Sequence, residues 1–291
     1  MMLGSAPNRE VSGQSVTLAF LGDVMLGRGV HPSAGSFEYL EPFLNSADLT
    51  LANLESPLSD ARRADRSPYN LCADPRSARV LAEAGFDLLV LANNHNEDCG
   101  EAGLLETKTV LEQAGLGSIG PEAKPIFREV GGVHLAFLAF DATGDFSLAS
   151  AALAVRTAHR TGAVVIVSMH WGAEYQSGPS AGQKEIALKM VQAGADLVWG
   201  HHPHVLQPTM QFQSIPVIFS LGNAIFDQYG LASVHQSALL LFKVDAHGVG
   251  LQNIIPFVID VRNSRIVKPS PDEKREILKA LGPDLVESYS H

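Results

Sequence analysis

Apolar and polar positions along this chain fall into short β-rich runs separated by stretches of helical spacing. The first run, Val16–Leu21, reads Val-Thr-Leu-Ala-Phe-Leu and closes on Gly22-Asp23, the pattern of a strand ending in a turn. Similar runs predict strands over Asp48–Ala52, ending on Asn53, and over Asp87–Ala92, ending on Asn93-Asn94-His95. Between them, a polar loop at 60–70 leads into a helix over Pro75–Ala84, which Gly85 stops as a C-terminal cap. Gly100–Ala114 reads as another helix ended by Gly115, and Phe127–Phe140 as a hairpin turning at Gly131-Gly132. Val164–Ser168 predicts a strand that ends on Met169-His170, and Gly182–Ala193 a helix ended by Gly194. Asp196–Trp199 is a short strand ending on Gly200-His201-His202. From Leu206 to Ile259 the pattern is strand-rich, with turns near Gln213-Ser214, Gly230 and His247-Gly248, and Pro271–Leu281 predicts a helix opened by proline.

Strands alternating with helices predict an α/β fold with a largely parallel sheet covered by helices. Ligands of such sheets collect outside the carboxyl ends of the strands. Five predicted strand ends carry Asp, Asn, Glu or His, so they point to one site. No Pro/Gly/Ser-rich stretch divides the 291 residues, which predicts a single domain over 1–291, with a core at about 16–262 and a helix-bearing tail at 263–291.

The chain is 46% hydrophobic and 18% charged, ordinary for a globular enzyme with a sizeable core. Acidic residues outnumber basic ones, 31 to 21, for a formal charge of −10. That balance argues against nucleic acid, whose phosphates require clustered Lys and Arg, and against docking on an anionic membrane surface. An anionic substrate, polymer or small molecule, is compatible with it only where metal ions supply the positive field. No apolar run is long enough to span a bilayer, so direct membrane insertion is not expected. Residues 1–15 carry no apolar core of a secretory signal; the chain is cytoplasmic as given, or extracytoplasmic if a leader segment is missing. Cys72 and Cys99 could pair, but one bridge in a chain this long is no disulfide framework, and free, buried thiols are the expected reading.

The candidate chemistry lies in Gly22-Asp23, Asn53-Leu54-Glu55, Asn93-Asn94-His95, His170 with Glu174, and His201-His202-Pro203-His204. Carboxylate oxygen and neutral imidazole nitrogen are natural ligands for divalent Mn, Fe or Zn. One carboxylate can bridge two ions held about 3.5–4 Å apart, a spacing that clamps a reacting oxygen. Taken singly the pieces say little. Asp23 fits a turn cap as well as a ligand, Glu55 a solvated loop acid, Asn94 a loop amide, and His95 a hydrogen-bonded structural histidine. His170 stands out because it ends a strongly apolar strand. The histidines at 201, 202 and 204 stand out because three imidazoles in four residues are rare; the bland alternative is a surface histidine patch.

Taken in order, the motifs resemble the poly-γ-glutamate capsule-synthesis proteins, the CapA family of the calcineurin-like metallophosphoesterase superfamily. The resemblance rests on Gly22-Asp23-Val24-Met25-Leu26, Asn53-Leu54-Glu55-Ser56-Pro57, Ala92-Asn93-Asn94-His95, His170-Trp171-Gly172-Ala173-Glu174-Tyr175, Gly200 to Val205, and Phe219-Ser220-Leu221-Gly222-Asn223. It runs from about residue 17 to residue 226. It implies a four-layer α-β-β-α sandwich with a metal site at its rim. Asp23 would bind one ion, Glu55 would stand at the bridging carboxylate, Asn94 would bind an ion, and His95 would assist the reacting group. His170 matches the isolated strand-end ligand. His202 and His204 fit a His-x-His spacing, with His201 in place of His202 as the other register. Met25 stands where the superfamily usually has a histidine, and Glu55 where it usually has aspartate.

Three functions follow from this resemblance. The first is a metal-dependent hydrolase carrying one or two divalent ions, with His95 and Glu174 as proton-transfer groups. It would cleave a phosphoester or an acyl or amide bond in poly-γ-glutamate or cell-envelope metabolism. The second is a metal-assisted epimerase of peptides or amino acids. The third is a non-enzymatic accessory of a capsule synthesis and export complex that binds polyglutamate through its ions.

Overall fold

A computed structural model describes residues 14–61 and 69–282. In chain order the elements are β1 (Ser15–Val24), α1 (Glu41–Leu44), β2 (Leu49–Leu54), α2 (Ser77–Ala84), β3 (Leu88–Val90), α3 (Gly100–Gln113), β4 (Gly117–Ile119), β5 (Ile126–Val130) and β6 (Val133–Asp141). There follow α4 (Leu148–His159), β7 (Val164–His170), α5 (Ala181–Ala193), β8 (Leu197–His201), β9 (Leu206–Phe212), β10 (Ile215–Leu221) and β11 (Asn223–Ile225). The last are β12 (Gln236–Asp245), β13 (Gly248–Asp260), β14 (Arg265–Val267) and α6 (Pro271–Leu281).

The strands form two sheets rather than the one that alternation alone predicts. The first is eight-stranded, in the order β14-β13-β12-β1-β2-β3-β4, with β11 pairing β1. The second is six-stranded, in the order β5-β6-β7-β8-β10-β9. Parallel pairing runs from β1 out to the edge strand β4 in the first sheet and through the middle, β6-β7-β8-β10, of the second. Antiparallel partners close the flanks, because tight turns return the chain at Gly131-Gly132, Gln213-Ser214 and His247.

Apolar side chains divide into three layers of core. One lies between the first sheet and α2 and α3, through Leu81, Leu104 and Leu111. The second lies between the sheets, through Phe20, Val90, Phe137, Ile166 and Trp199. The third covers the outer face of the second sheet with α4 and α5, through Val155, Ala187 and Met190. This is the helix-sheet-sheet-helix layering the resemblance implies. Among the described residues no helix is long and apolar enough to cross a membrane.

Helix boundaries follow local chemistry. Ser180 and Gln183 form a reciprocal capping box on α5, and Ser270 and Glu273 one on α6; such caps contribute about 0.5–2 kcal/mol each. Gly85 and Gly194 end α2 and α5 in the left-handed conformation. Helix α4 has no counterpart among the predicted elements, since its Ala-rich stretch, Leu-Ala-Ser-Ala-Ala-Leu-Ala-Val, gives little contrast between faces.

Two glycines allow close backbone approaches beside the strand ends, the first where β1 meets the chain between β10 and β11, the second between β8 and β10 within the second sheet. A Cβ on Gly22 would lie 1.9 Å from the Gly222 carbonyl oxygen, and one on Gly200 would lie 2.2 Å from that of Phe219. Next to the first contact, the Asp23 N–H donates to the Gly222 carbonyl at 3.0 Å. A further link corrects the cysteine expectation: Cys72 and Cys99 form a disulfide across 27 residues, with Cα atoms 5.8 Å apart. After the 60–70 loop the chain returns beside the end of β3, where the Leu71 N–H donates to Asp98 Oδ2 at 2.7 Å. Of that predicted loop, residues 62–68 lie outside the described residues, as do residues 1–13 of the N-terminal stretch and residues 283–291 of the predicted tail.

Candidate metal centre

Strand register brings the predicted residues into one basin. Asp23 on β1 pairs with Asn53 on β2 and with Asn223 on β11. Asn53 in turn pairs with Val90 on β3, whose following loop carries Asn93, Asn94 and His95. In the second sheet, His170 on β7 pairs with His201 on β8. The basin therefore lies at the carboxyl ends of parallel strands from both sheets.

Glu55 sits at its centre, fully buried. Its Oε1 is 3.9 Å from His170 Nε2 and 3.7 Å from His204 Nε2. Two donor groups meet there: Asp23, Glu55 and His204 form one, and Glu55, His170 and His202 the other, the candidate ligand atoms of each lying within 4.8 Å of one another. Asn94 extends the second, its Oδ1 lying 2.8 Å from His170 Nε2, and His202 Nδ1 lies 3.2 Å from the same nitrogen. Glu174, His202 and His204 make a third, more exposed group.

Neither carboxylate oxygen of Glu55 makes a hydrogen bond to a described residue, although both are buried. A buried, unpartnered carboxylate is costly unless something else neutralises it. Oxygen and imidazole donors converging on such a group fit a divalent cation.

The charge states reflect that crowding. Burial, with Asp23 nearby, pushes Glu55 up to about 7 against the pull of His204. Burial also opposes ionisation of Asp23, yet its contacts with His201 and His204 hold its carboxyl well below the usual range. Burial works against the charged form of His204, but Glu55 and Asp23 outweigh it and raise it to about 9. Burial depresses both His170 and His202, leaving them neutral, the form in which imidazole binds metal.

Supporting amides and carboxylates orient these groups. Asn53 Nδ2 donates to Asp23 Oδ1 at 2.8 Å, and Asn93 Nδ2 donates to Asn53 Oδ1 at 3.1 Å. Asn223 Oδ1 lies 3.0 Å from His204 Nδ1, so that nitrogen carries the proton and Nε2 faces Glu55. His95 Nδ1 lies 2.9 Å from Asp98 Oδ2 while its Nε2 lies 4.0 Å from Glu55 Oε1. Burial lowers the proton affinity of His95, and Asp98 and Glu55 overcome it, raising the net value. Asn53, Asn93, Asn223 and Asp98 are given no role by the sequence alone. Asn223 has a signal there, in Ser-Leu-Gly-Asn; Asp98, in a loop of no distinctive pattern, has none.

His201 stands apart from the three donor groups. Its Nδ1 is 3.1 Å from Asp23 Oδ1 but off line for a hydrogen bond, and its ring stacks edge-on against Trp199 at 4.2 Å. His202 and His204 both have left-handed backbones, φ 93° and 57°, a conformation costing a non-glycine residue on the order of 1–3 kcal/mol. Met25, at the superfamily's usual histidine position, belongs to the apolar core under α2 and α3, and its sulfur accepts the Gly27 N–H at 3.1 Å.

Comparison with known proteins places this geometry in context. Residues 17–228 match the family described as bacterial capsule synthesis protein PGA_cap. The chain is 30% identical to the PGA biosynthesis protein CapA of Bacillus subtilis, over 98% of this chain and 83% of that protein. It is also 30% identical to the capsule biosynthesis protein CapA of Bacillus anthracis, over 93% of this chain and 74% of that protein. A crystal structure of a hypothetical protein from Thermus thermophilus superposes with a TM-score of 0.51 at 17% identity, covering 86% of this chain and 96% of that one. It supports the fold alone.

Proposed function

The chain belongs to the family of bacterial capsule synthesis proteins, PGA_cap, and from that premise we propose that it is a metal-dependent hydrolase acting in poly-γ-glutamate or cell-envelope metabolism. Its substrate bond is a phosphoester or an acyl or amide linkage. The observation that carries this reading is the buried carboxylate of Glu55, hydrogen-bonded to no described residue and shared by two donor groups.

Asp23, Glu55 and His204 would hold one ion, and Glu55, Asn94, His170 and His202 a second, with Glu55 between them. His202 rather than His201 takes the ligand position in this assignment. The ions would supply Lewis-acid activation of water and stabilise the charge that develops on the substrate. The chain's own groups do the rest. His95, fixed through Nδ1 by Asp98, presents Nε2 to the basin as proton donor. Glu174, at the exposed edge beside His202 and His204, would exchange protons with solvent. Asn53 and Asn223 hold Asp23 and His204 in ligand-ready orientations.

The test is direct. Protein purified without a histidine tag and supplied with Mn should hydrolyse a phosphoester or γ-glutamyl amide probe, and His204→Ala should abolish that turnover. Metal-dependent turnover at the wild-type rate in the variant would rule the assignment out. Met25 in the core favours one alternative, an accessory that binds polyglutamate without cleaving it. Retained polymer binding with no turnover of any ester or amide would select it.

A further inference from the structure

The turn just before α3 holds the partner of the proton-donating histidine. Asp98 Oδ2 lies 2.9 Å from His95 Nδ1 and accepts the Leu71 N–H at 2.7 Å. An ionised carboxylate only accepts, so both nitrogens direct a hydrogen at the one oxygen. The Asp98 carbonyl accepts from Asn70 Nδ2 at 3.4 Å, and Asn70 Oδ1 accepts the Cys72 N–H at 3.0 Å. Cys72 and Cys99 join the same two segments covalently. The links are consecutive: Asn70, Leu71 and Cys72 on one side, Asp98 and Cys99 on the other. Leu71 is anchored in the core under α2 and α3. The loop after β1 backs the segment, since a Cβ on Gly27 would lie 2.7 Å from the Leu71 carbonyl oxygen and 2.8 Å from that of Cys72.

We infer that Cys72 and Cys99 are a positioning pair: their bridge holds Asp98 against His95, so that opening it slows proton donation and leaves the metal positions in place. This rests on the hydrolase reading above, in which His95 is the proton donor. A placed donor works only while its geometry holds, and the His95 ring must keep Nε2 toward Glu55, 4.0 Å away. Hydrogen bonds in a loop open and close with local motion, whereas the bridge keeps the two backbones at a Cα separation of 5.8 Å. A link that served stability alone would have no need to close directly beside the carboxylate that orients His95. Asp23, Glu55, His170, His202 and His204 all lie outside the linked segments, so their donor groups do not depend on it. Cys99 is buried and Cys72 half-buried, so a small dithiol approaches from the Cys72 side. Its two electrons and two protons break the S–S bond and leave two thiols, and the reductant departs as its cyclic disulfide.

The experiment measures turnover of phenyl phosphate and p-nitrophenyl phosphate by the Mn-supplied full chain, or of the matching γ-glutamyl anilides where amides alone are cleaved. The plain phenyl group leaves poorly without a proton, and the nitrophenyl group leaves readily as an anion, so a misplaced donor shows in the first substrate. Cys72→Ser, and wild type reduced with dithiothreitol, should lose roughly tenfold to a hundredfold in kcat on the first substrate. The second should change far less, with KM and metal content unaltered, and reoxidation should restore the wild-type rate. Adding Cys72→Ser to Asp98→Ala should cost nothing further, because both act through one contact. Cys72→Ala combined with Cys99→Val, which refills the space left by the sulfurs, decides the matter if Cys72→Ser does not fold. Equal losses on the two substrates, losses that multiply in the combined variant, or an unchanged rate after full reduction would overturn the inference. If the wild type turns over neither probe, the hydrolase reading fails, and proton NMR still tests the link to His95. A downfield His95 Nδ1–H resonance, assigned by its absence in His95→Gln, should be present in the oxidised chain and lost on reduction; its persistence would overturn the inference.

Discussion

The two donor groups that share Glu55 are built from different materials. Asp23, Glu55 and His204 offer two carboxylates and one imidazole, while Glu55, His170 and His202 offer one carboxylate and two imidazoles, with the Asn94 amide beside them. The first group draws Asp23 and Glu55 from the first sheet, and the position that could have added an imidazole is filled by Met25, a core side chain. The second draws His170 and His202 from the end of the second sheet. Donor type affects which ions bind and how tightly. The difference therefore teaches that two neighbouring sites with a common ligand need not fill together. The imidazole-rich group should fill first, and the carboxylate-rich group should be the weaker.

The comparison breaks most completely at its shared member. Glu55→Gln removes the charge common to both groups, so bound metal measured by mass spectrometry should fall to near zero. Losing a residue that merely orients a ligand costs roughly 10–100-fold in affinity, and this change should exceed that. A Glu55→Gln protein that keeps its full metal content would refute the shared-ligand arrangement.

Single-side changes come next. His170→Ala should empty the tighter position, and His204→Ala the weaker one. Titration with Mn should thus lose its high-affinity phase in the first variant and its low-affinity phase in the second. Identical isotherms for the two would show that the groups are not distinct. Asn223→Ala should act more gently and on one side alone, weakening the His204 phase by roughly 10–100-fold and leaving the His170 phase in place. An effect on both phases would mean that Asn223 supports the basin as a whole.

The smallest effect on metal should come from Cys72→Ser. The disulfide belongs to neither donor group, so both phases should persist. Stability should nonetheless drop by roughly 3–4 kcal/mol in urea melts, the chain-entropy figure for a loop of this length. A lost metal phase in Cys72→Ser would tie the 70–99 region to ion binding more directly than the described contacts do.

Much of this basin can be read from the chain because its residues stand where apolar runs stop. Asp23, Asn53, His170 and His201 each close a β-rich run, and strand ends are the places where side chains leave a packed layer for an open edge. The sandwich is less visible. Alternation of strands and helices counts parallel units but does not tell whether they fall in one sheet or two, and that split depends on the antiparallel returns at β9 and β12–β14. Helix α4 escapes notice because alanine satisfies both faces of a helix. The left-handed backbone at His202 and His204 is not announced by residue identity, so the sequence leaves the register of the histidine cluster open. The supporting residues Asn93, Asp98 and Asn223 are hardest to read, since amides and acids near turns have many ordinary uses. The cysteine link depends on a chain return that no local pattern encodes.

The contact between Gly22 and the Gly222 carbonyl has a consequence for how this basin tolerates change. A methyl group at position 22 has no side chain to push aside; it would meet a main-chain oxygen at 1.9 Å, and only separating β1 from β11 would admit it. Asp23 and Asn223 ride on those two strands at paired positions, so prying them apart would swing a carboxylate and an amide away from the same imidazole, His204. A residue with no functional group at all thereby sets the width of the basin, and a lesion there would look, in any assay, like the loss of a ligand.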